Sequence, residues 1–171
     1  MSRPVKRRLS RTVLAILIAL ALLVVRLVQD REGVPPPEAL AEQTYQVERV
    51  VDGDTLVLEN GARLRLIGVD SPETVKPETP VEPWGPEAGN FTRYFVRQGT
   101  VRLQFDRERK DRYGRFLTYV WVDGQMLNEE LVRAGLARAE LQYRYSEAMK
   151  RRFRDAEEEA QAARRGVWSM D

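Results

Sequence analysis

The chain contains neither cysteine nor histidine among its 171 residues. Disulfide bonds, thiol nucleophiles, imidazole bases and the usual zinc sites are therefore excluded. Any chemistry must depend on carboxylates, arginine, lysine, tyrosine or a hard metal ion. A domain exposed outside the cytoplasm would have to be stabilised by its hydrophobic core, because it has no disulfides.

Long apolar runs are also lacking, apart from one near the N-terminus. Five basic residues within 1–11 precede an uncharged apolar run over 13–25, which Arg26 interrupts. This pattern predicts an N-terminal hydrophobic helix within 1–29, which would be an uncleaved membrane anchor, a cleaved secretory signal or a buried cytosolic helix. Residues 30–43 are polar and contain Pro35-Pro36-Pro37, which is typical of a stiff linker.

The basic residues within 1–11 predict on which side of the membrane the remaining chain lies. Basic residues before an apolar segment stay in the cytoplasm, so the domain that follows should face outward. We therefore expect a transmembrane helix that anchors an extracytoplasmic domain in the membrane, or a secreted domain if the segment is cleaved.

The positive net charge is confined to this N-terminal part. The whole chain has a formal charge of +2, but residues 1–40 contain seven basic and three acidic residues. The remainder carries 21 basic and 23 acidic residues, a net charge of −2. Binding of a polyanion would therefore depend on where individual arginines lie rather than on a global positive field.

Hydrophobic patterning and turn residues predict five strands. The second and third are joined by Asn60-Gly61, a strong hairpin signal. In the third strand, leucines alternate with arginines, so one face should be buried and the other exposed. The predicted strands cover residues 45–51, 55–59, 62–67, 101–105 and 116–122.

Three helices are predicted between and after these strands. One begins at Pro86 and ends before Gly99, a second contains Leu127 and stops at Gly135, and a third follows Ser146 as its cap and ends at Gly166. Five strands with helices after the third and after the fifth indicate an α+β fold. We expect a five-stranded Greek-key β-barrel of the OB type packed on three helices, in a domain over 44–171.

Acidic and basic side chains cluster at predicted turns and strand ends. Asp52-Gly53-Asp54-Thr55 precedes the second strand, and Arg65, Asp70, Ser71, Pro72 and Glu73 follow within about twenty residues. These side chains could hold a hard divalent cation and promote attack on an anionic ester. A second arginine, Arg115, closes the segment Asp111-Arg112-Tyr113-Gly114-Arg115.

Six motifs together resemble the staphylococcal-type nuclease (thermonuclease) family. They are DGDT, RLIGVDSPE, WGPEA, DRYGR, NEELVRAGLA and VWS. The resemblance covers about residues 44–169. It implies the same OB barrel with three helices and a calcium-dependent nuclease that hydrolyses DNA and RNA with little sequence specificity, leaving 3′-phosphate ends.

The resemblance also implies a calcium site. Its ligands would be the side chains of Asp54 and Asp70 and the backbone carbonyl of Ser71, where the family has threonine. Oxygen ligands of this kind are those that Ca²⁺ requires. We interpret Asp52 as a turn residue.

Three side chains match the catalytic positions of the family. Glu73 would be the general base or would only orient the attacking water. Arg65 and Arg115 would clamp the phosphate, because forked guanidinium groups can bind it bidentately and stabilise its growing negative charge.

The positions implied for substrate binding match less completely. Arg112 stands where the family has lysine, and Tyr113 and Tyr143 are retained. Leu141 stands where another tyrosine is expected, which removes one aromatic face for a nucleobase. We interpret Arg133 as a structural residue.

The enzyme interpretation has two alternatives. One is a catalytically inactive nuclease-fold module that binds nucleic acid or protein, and the other is a purely structural surface domain. The presence of all five implied ligand and catalytic side chains favours the enzyme. We expect DNA and RNA as substrates, contact with the membrane through the N-terminal segment, and a monomer.

Overall fold

The computed structural model describes residues 20–22, 40–74 and 82–169 of the chain. The chain divides into two compact units, Met1–Pro36 and Pro37–Asp171. In the first unit only residues 20–22 are described, and they are helical. Most of the predicted anchor and of the predicted linker lies outside the described residues. Within the described ranges, no helix has the length and apolar character that a membrane span requires.

The described part of the second unit is built on short β-strands. The strands are β1 (Thr44–Val50), β2 (Thr55–Leu58), β3 (Arg63–Leu66), β4 (Val69–Asp70), β5 (Thr100–Gln104), β6 (Phe116–Val122), β7 (Gln125–Met126) and β8 (Arg138–Ala139). All five predicted strands are confirmed, as β1, β2, β3, β5 and β6. The other strands have two residues each, which is too short to produce an alternating pattern in the sequence.

Five of these strands close into a barrel. The sheet order is β3-β2-β1-β5-β6-β7, and β3 also pairs with β6. That pairing is parallel and places Leu64 opposite Phe116 and Leu66 opposite Thr118. The remaining pairs within the barrel are antiparallel. Closure removes the free sheet edges and confirms the predicted five-stranded OB-type barrel.

Strand β3 shows how the sequence pattern builds the barrel wall. Leu64 and Leu66 are buried in the core, while Arg63 is exposed and Arg65 is half-buried on the other face. Burial of a leucine side chain contributes about 1.5–3 kcal/mol, so this register fixes which face of β3 points outward. Arg65 is thereby directed away from the core.

Three helices pack around the barrel, as predicted. They are α1 (Gly85–Phe95), α2 (Leu127–Arg133) and α3 (Glu147–Ala162), and a 3₁₀ helix follows at Gly166–Ser169. Helix α1 has a proline in its first turn, which suits a position whose N–H has no helical partner. Helix α3 buries Phe153, Ala156 and Ala160 against the rest of the domain.

The start of α3 differs from the sequence prediction. Ser146 occupies the N-cap position, but its side chain makes no capping hydrogen bond. Its backbone N–H instead donates to Asp106 Oδ2 at 2.8 Å, and Tyr119 Oη donates to the same oxygen at 2.7 Å. Asp106 therefore joins the start of the helix to β6.

Helix α2 is joined to the barrel by a buried amide. Asn128 Oδ1 accepts the N–H of Val120 at 3.0 Å, and Asn128 Nδ2 donates to the carbonyls of Ile67 and Thr118 at 3.0 and 3.3 Å. These bonds satisfy the buried amide of Asn128 and tie α2 to the backbone of β6 and of the turn after β3.

Arg133 at the end of α2 contacts three carboxylates. Its guanidinium pairs with Glu129 at 2.5 Å, with Glu159 of α3 at 3.1 Å, and with Glu130. The contact with Glu159 joins α2 to α3, which agrees with the interpretation of Arg133 as structural.

The turn after β3 depends on a glycine that is closely packed. Gly68 has a φ of +72°, and a Cβ added there would lie 2.6 Å from Tyr145 Cζ. Gly61 in the hairpin has a similar φ of +82°, but a Cβ there would meet no atom within 4 Å. A comparison of alanine substitutions at the two positions therefore separates the cost of backbone strain from the cost of steric overlap.

We predict that Gly68→Ala destabilises the domain more than Gly61→Ala. Gly61→Ala should cost about 1–2 kcal/mol for the left-handed backbone, and Gly68→Ala about 2–4 kcal/mol because overlap with Tyr145 is added. Chemical denaturation of both variants measures the difference. Equal losses at the two positions would contradict the close packing of Gly68.

Candidate active site

The turn before β2 fixes the first carboxylate of the site. The backbone N–H of Asp54 donates to Asp52 Oδ1 at 3.1 Å, and Val51 N–H donates to the carbonyl of Thr55 at 2.9 Å. Gly53 allows this turn to pack closely, because a Cβ there would lie 2.6 Å from the side chain of Ser71. Asp54 is thus held at the start of β2 and is only 4% exposed.

The carboxylate of Asp54 is surrounded by hydrogen-bond donors. Asp54 Oδ2 accepts the N–H of Ser71 at 2.8 Å and its hydroxyl at 3.0 Å. Thr55 Oγ1 donates to Asp54 Oδ1 at 3.1 Å. The buried charge is therefore compensated, as a carboxylate in this environment requires.

Asp70 reaches the same place from β4. This strand pairs with β8, with Val69 opposite Ala139 and Asp70 opposite Arg138. The side chain of Asp70 is 61% exposed, so it is far more accessible than Asp54. Ser71 follows directly, and its contacts with Asp54 bring the end of β4 to the start of β2.

Arg65 on β3 lies between the two aspartates. Its Nη2 is 2.7 Å from Asp70 Oδ1, and its Nη1 pairs with Asp54 Oδ2. A third carboxylate, Glu140 Oε2, is 3.8 Å from Nη2. The guanidinium is thus the central positive charge among three acidic side chains.

Glu73 lies in the segment that follows β4. Its Oε1 accepts the N–H of Thr74 at 3.1 Å. Its backbone is bound to Glu82: the Glu73 N–H donates to Glu82 Oε2 at 3.1 Å, and the Glu82 N–H donates to the Glu73 carbonyl at 3.0 Å. These bonds hold Glu73 beside the cavity described below.

Arg115 is oriented by an aspartate of its own loop. Asp111 Oδ2 accepts a hydrogen bond from Arg115 Nε at 2.6 Å, and Asp111 Oδ1 accepts the backbone N–H groups of Tyr113 and Arg115 at 2.9 and 3.0 Å. Burial disfavours the charged carboxylate, but these hydrogen bonds and the arginine charge outweigh it and lower the pKa of Asp111. Asp111 is therefore a firmly ionised anchor for Arg115.

Five of the predicted side chains, together with Ser71, line one polar cavity of about 200 Å³. Its walls are Asp52, Asp54, Thr55, Arg65, Asp70, Ser71, Glu73 and Arg115. The structure thus brings together all the residues predicted for metal binding and catalysis. Their roles remain predictions, because proximity alone does not assign them.

Asp52 was interpreted only as a turn residue, yet its side chain also lines this cavity. Burial and the nearby negative charge of Glu73 raise the pKa of Asp52, while a hydrogen bond from Thr55 partly opposes this. The spacing of Asp52 and Asp54 on either side of one glycine was the signal that could have indicated two carboxylates at the same turn.

A second cavity of about 520 Å³ adjoins the first and shares Arg65, Asp70 and Arg115 with it. Arg112, Tyr113 and Tyr143, which were predicted to bind substrate, all line this second cavity. Arg112 Nη2 donates to Tyr113 Oη at 2.6 Å. The two tyrosines are 68% and 58% exposed. The guanidinium groups of Arg112 and Arg115 lie over the Tyr113 ring, 4.8 and 5.5 Å from its centroid.

Leu141, at the position where the family has a tyrosine, packs against the hydrophobic core. It does not belong to the described residues that line either cavity. The substitution therefore leaves Tyr113 and Tyr143 as the exposed aromatic side chains of the second cavity.

The donor set of the first cavity suits a hard cation. Carboxylate and carbonyl oxygens are the ligands of Ca²⁺. In this structure the positively charged guanidinium of Arg65 lies between Asp54 and Asp70. Among the residues that the structure describes, no group of three or more acidic side chains is arranged to hold a metal ion. The fit therefore depends on Asp54, Asp70 and the carbonyl of Ser71.

An OB-type barrel with carboxylates and two arginines in one cavity, beside a second cavity with exposed tyrosines, defines a class of protein suited to phosphodiester chemistry. Residues 63–170 match the family described as staphylococcal nuclease homologue. The chain belongs to this family.

Three relatives illustrate the similarity. Thermonuclease of Staphylococcus hyicus is 48% identical over 131 residues, which cover 75% of this chain and 77% of the relative. Thermonuclease of Staphylococcus intermedius is 46% identical over 129 residues, covering 74% and 76%. Endonuclease YncB of Bacillus subtilis (strain 168) is 39% identical over 127 residues, covering 72% and 60%. The family and these relatives support a nuclease.

The Asp111 anchor predicts a pH-dependent loss of stability. Because the pKa of Asp111 is lowered in the folded state from its usual 3.8, its contribution is fully present above about pH 4 and is lost as the pH falls through the folded value. Asp111→Asn should therefore be less stable than the parent at neutral pH, with a difference that shrinks in acid. Thermal unfolding between pH 2 and 7 measures this.

The matched control is Asp155→Asn, which removes a carboxylate from an exposed position of α3. A stability difference for Asp111→Asn that stays constant down to pH 2 would show that Asp111 does not anchor Arg115 through its charge.

Proposed function

We propose that this protein is a calcium-dependent nuclease that hydrolyses phosphodiester bonds of DNA and RNA with little sequence preference and leaves 3′-phosphate ends. The observation that carries the proposal is the shared cavity, in which Arg65 and Arg115 face the acidic side chains of Asp54, Asp70 and Glu73. The relatives named thermonuclease and endonuclease support the same reaction.

Calcium would be held by Asp54, Asp70 and the carbonyl of Ser71. When bound there, the ion supplies Lewis-acid polarisation of a phosphoryl oxygen and neutralises carboxylate charge. The proposal is supported by the proximity of the two aspartates, both within ion-pair distance of Arg65. It is also supported by the bonds from Ser71 to Asp54, which fix the serine backbone beside the carboxylate.

Glu73 is the carboxylate assigned to the water nucleophile. No histidine is present in the chain, so a carboxylate is the available base near neutral pH. Glu73 either takes the proton of the water or orients it for attack. Both roles require a carboxylate at the edge of the cavity, which is where Glu73 lies.

The two arginines are assigned to the phosphate. The charge of a phosphodiester grows as the fifth oxygen bonds, and guanidinium donors stabilise that charge. Asp111 engages Nε of Arg115, which orients the guanidinium group at the wall of the cavity. Arg65 reaches the same cavity from β3.

The second cavity is assigned to the neighbouring nucleotide. Tyr113 and Tyr143 offer exposed rings, and stacking of a base on an aromatic side chain contributes about 1–3 kcal/mol. Arg112 adds a positive charge at the same wall. Stacking tolerates every base, which is consistent with low sequence preference.

The central test is hydrolysis of single-stranded DNA and of RNA in calcium and in excess chelator. We expect activity that requires calcium, and Glu73→Gln should lower kcat by about 100-fold or more while substrate binding is retained. A control, Glu48→Gln, removes a charge from an exposed position of β1 outside the cavity.

Two results would contradict the proposal. Full activity in chelator would remove the role of calcium, and a Glu73→Gln variant as fast as the parent would remove the role of that side chain. Nucleic-acid binding without hydrolysis in any metal would instead identify an inactive nuclease-fold module.

We also propose that the N-terminal segment places the domain outside the cytoplasm, as a membrane-anchored protein or as a secreted one, and that the domain is a monomer. The support comes from the sequence alone, because basic residues within 1–11 precede the apolar run over 13–25.

Removal of residues 1–36 should leave a soluble domain whose nuclease activity still requires calcium, because the residues assigned to the site all lie further along the chain. The cut falls before Leu40, which belongs to the hydrophobic core and whose carbonyl accepts a hydrogen bond from Arg109 Nη2. The full chain should sediment with membranes. Fractionation of the full chain and of a variant that begins at Pro37 compares the two. Insoluble, inactive material from the shorter chain would contradict the anchor assignment, because it would mean that the apolar run belongs to the core.

A further inference from the structure

Arg65 has more acidic partners than one guanidinium can neutralise. Asp54, Asp70 and Glu140 all lie within ion-pair distance of it. One positive charge among three negative charges leaves the group with excess negative charge, which a divalent cation would compensate. Asp54 and Asp70 are the two carboxylates assigned to that cation, whereas Glu140 has no such assignment.

The backbone of Glu140 is held by a hydrogen bond to a residue that is distant in the sequence. It follows β8 directly, and its N–H donates to the carbonyl of Gly68 at 2.9 Å. The preceding residue, Ala139, donates its N–H to Glu157 of α3 at 2.8 Å. The carboxylate is therefore presented to Arg65 by a short two-stranded sheet that is itself held by α3.

The two carboxylate oxygens of Glu140 face different partners. Oε2 is 3.8 Å from Arg65 Nη2, and Oε1 accepts a hydrogen bond from Gln142 Nε2 at 3.4 Å. The side chain is only 24% exposed. Burial and the charge of Asp70 raise the pKa of Glu140, and the charge of Arg65 opposes that effect, so Arg65 is the group that favours the ionised form.

Calcium binding changes which carboxylates are available to Arg65. Asp54 Oδ2 and Asp70 Oδ1 are the oxygens that pair with the guanidinium. A dication held by these aspartates would add a second positive charge beside their carboxylates, so their attraction for Arg65 would weaken. Glu140 then remains as the carboxylate partner of Arg65 that does not ligate the ion.

We propose that Glu140 is a positioning residue that keeps the guanidinium of Arg65 directed into the cavity when Asp54 and Asp70 bind calcium. This role rests on the proposed function. Without the metal, the two aspartates hold Arg65 and Glu140 is dispensable. With the metal, Glu140 sets the direction from which Arg65 meets the phosphate.

The first test follows the order of the Arg65 side chain by NMR. In ¹⁵N-labelled protein, the Nε–Hε signal of Arg65 is identified by its loss in Arg65→Lys. We expect the parent to show an ordered Arg65 with and without calcium. Glu140→Gln should show an ordered Arg65 in chelator and a mobile one in saturating calcium, as measured by the heteronuclear NOE. Glu147→Gln, at an exposed site on α3, is the matched control and should behave as the parent.

The second test separates positioning from metal binding. Glu140→Gln should lower kcat about tenfold, because misplacement of a catalytic group by a fraction of an ångström is costly. The affinity for calcium, measured by calorimetry without substrate, should fall far less than in Asp70→Asn, because Glu140 contributes a nearby negative charge and not a ligand. Glu140→Asp, which keeps the charge on a shorter side chain, should recover part of the lost rate.

Three outcomes would overturn the proposal. An Arg65 signal that stays ordered in calcium-bound Glu140→Gln would show that another group holds it. A loss of calcium affinity as large as that of Asp70→Asn would make Glu140 a metal ligand, and an unchanged kcat would show that its contact has no effect on the reaction. A parent protein that lacks nuclease activity would refute the proposed function instead, while the NMR comparison would still report on the contact.

Discussion

The site depends on the ion pairs between the guanidinium of Arg65 and the carboxylates around it. Asp54 is buried and would be costly to keep ionised without a positive partner, and Arg65 supplies that partner together with the hydrogen bonds from Ser71. The same contacts draw the start of β2, the middle of the barrel wall and the end of β4 to one point. An arginine is well suited to this position because it keeps its charge and offers several donors in fixed directions.

Barrel closure determines where the two arginines lie. The parallel pairing of β3 with β6 sets Leu64 opposite Phe116. In this register Arg65 lies opposite Leu117, two positions beyond Arg115. Arg65 and Arg115 both line the first cavity. The core leucines of β3 fix this register, since a shift by one residue would turn Arg65 inward. The packing of the core therefore also determines where the charged groups lie.

The sequence predicted the parts of the fold and site that have local patterns. Alternation in β3, the Asn60-Gly61 turn and the helix boundaries are properties of neighbouring residues, and the five strands and three helices followed from them. The contacts of Glu140 with Arg65 could not be predicted in this way, because they require the pairing of β4 with β8, strands of two residues each. The contact of Ser146 with Asp106 could not be predicted either, because Asp106 lies 40 positions earlier in the chain.

The β3–β6 pairing also has a consequence for biosynthesis. Arg65 and Arg115 are 50 positions apart in the sequence. They come together only when β6 pairs with β3. Contacts of such long sequence separation form late, because the intervening chain must first be ordered. A nascent chain that has not yet released β6 from the ribosome cannot assemble the cavity, and one without β8 also lacks Glu140. The cavity assigned to the proposed nuclease activity is therefore incomplete for most of the chain's own synthesis.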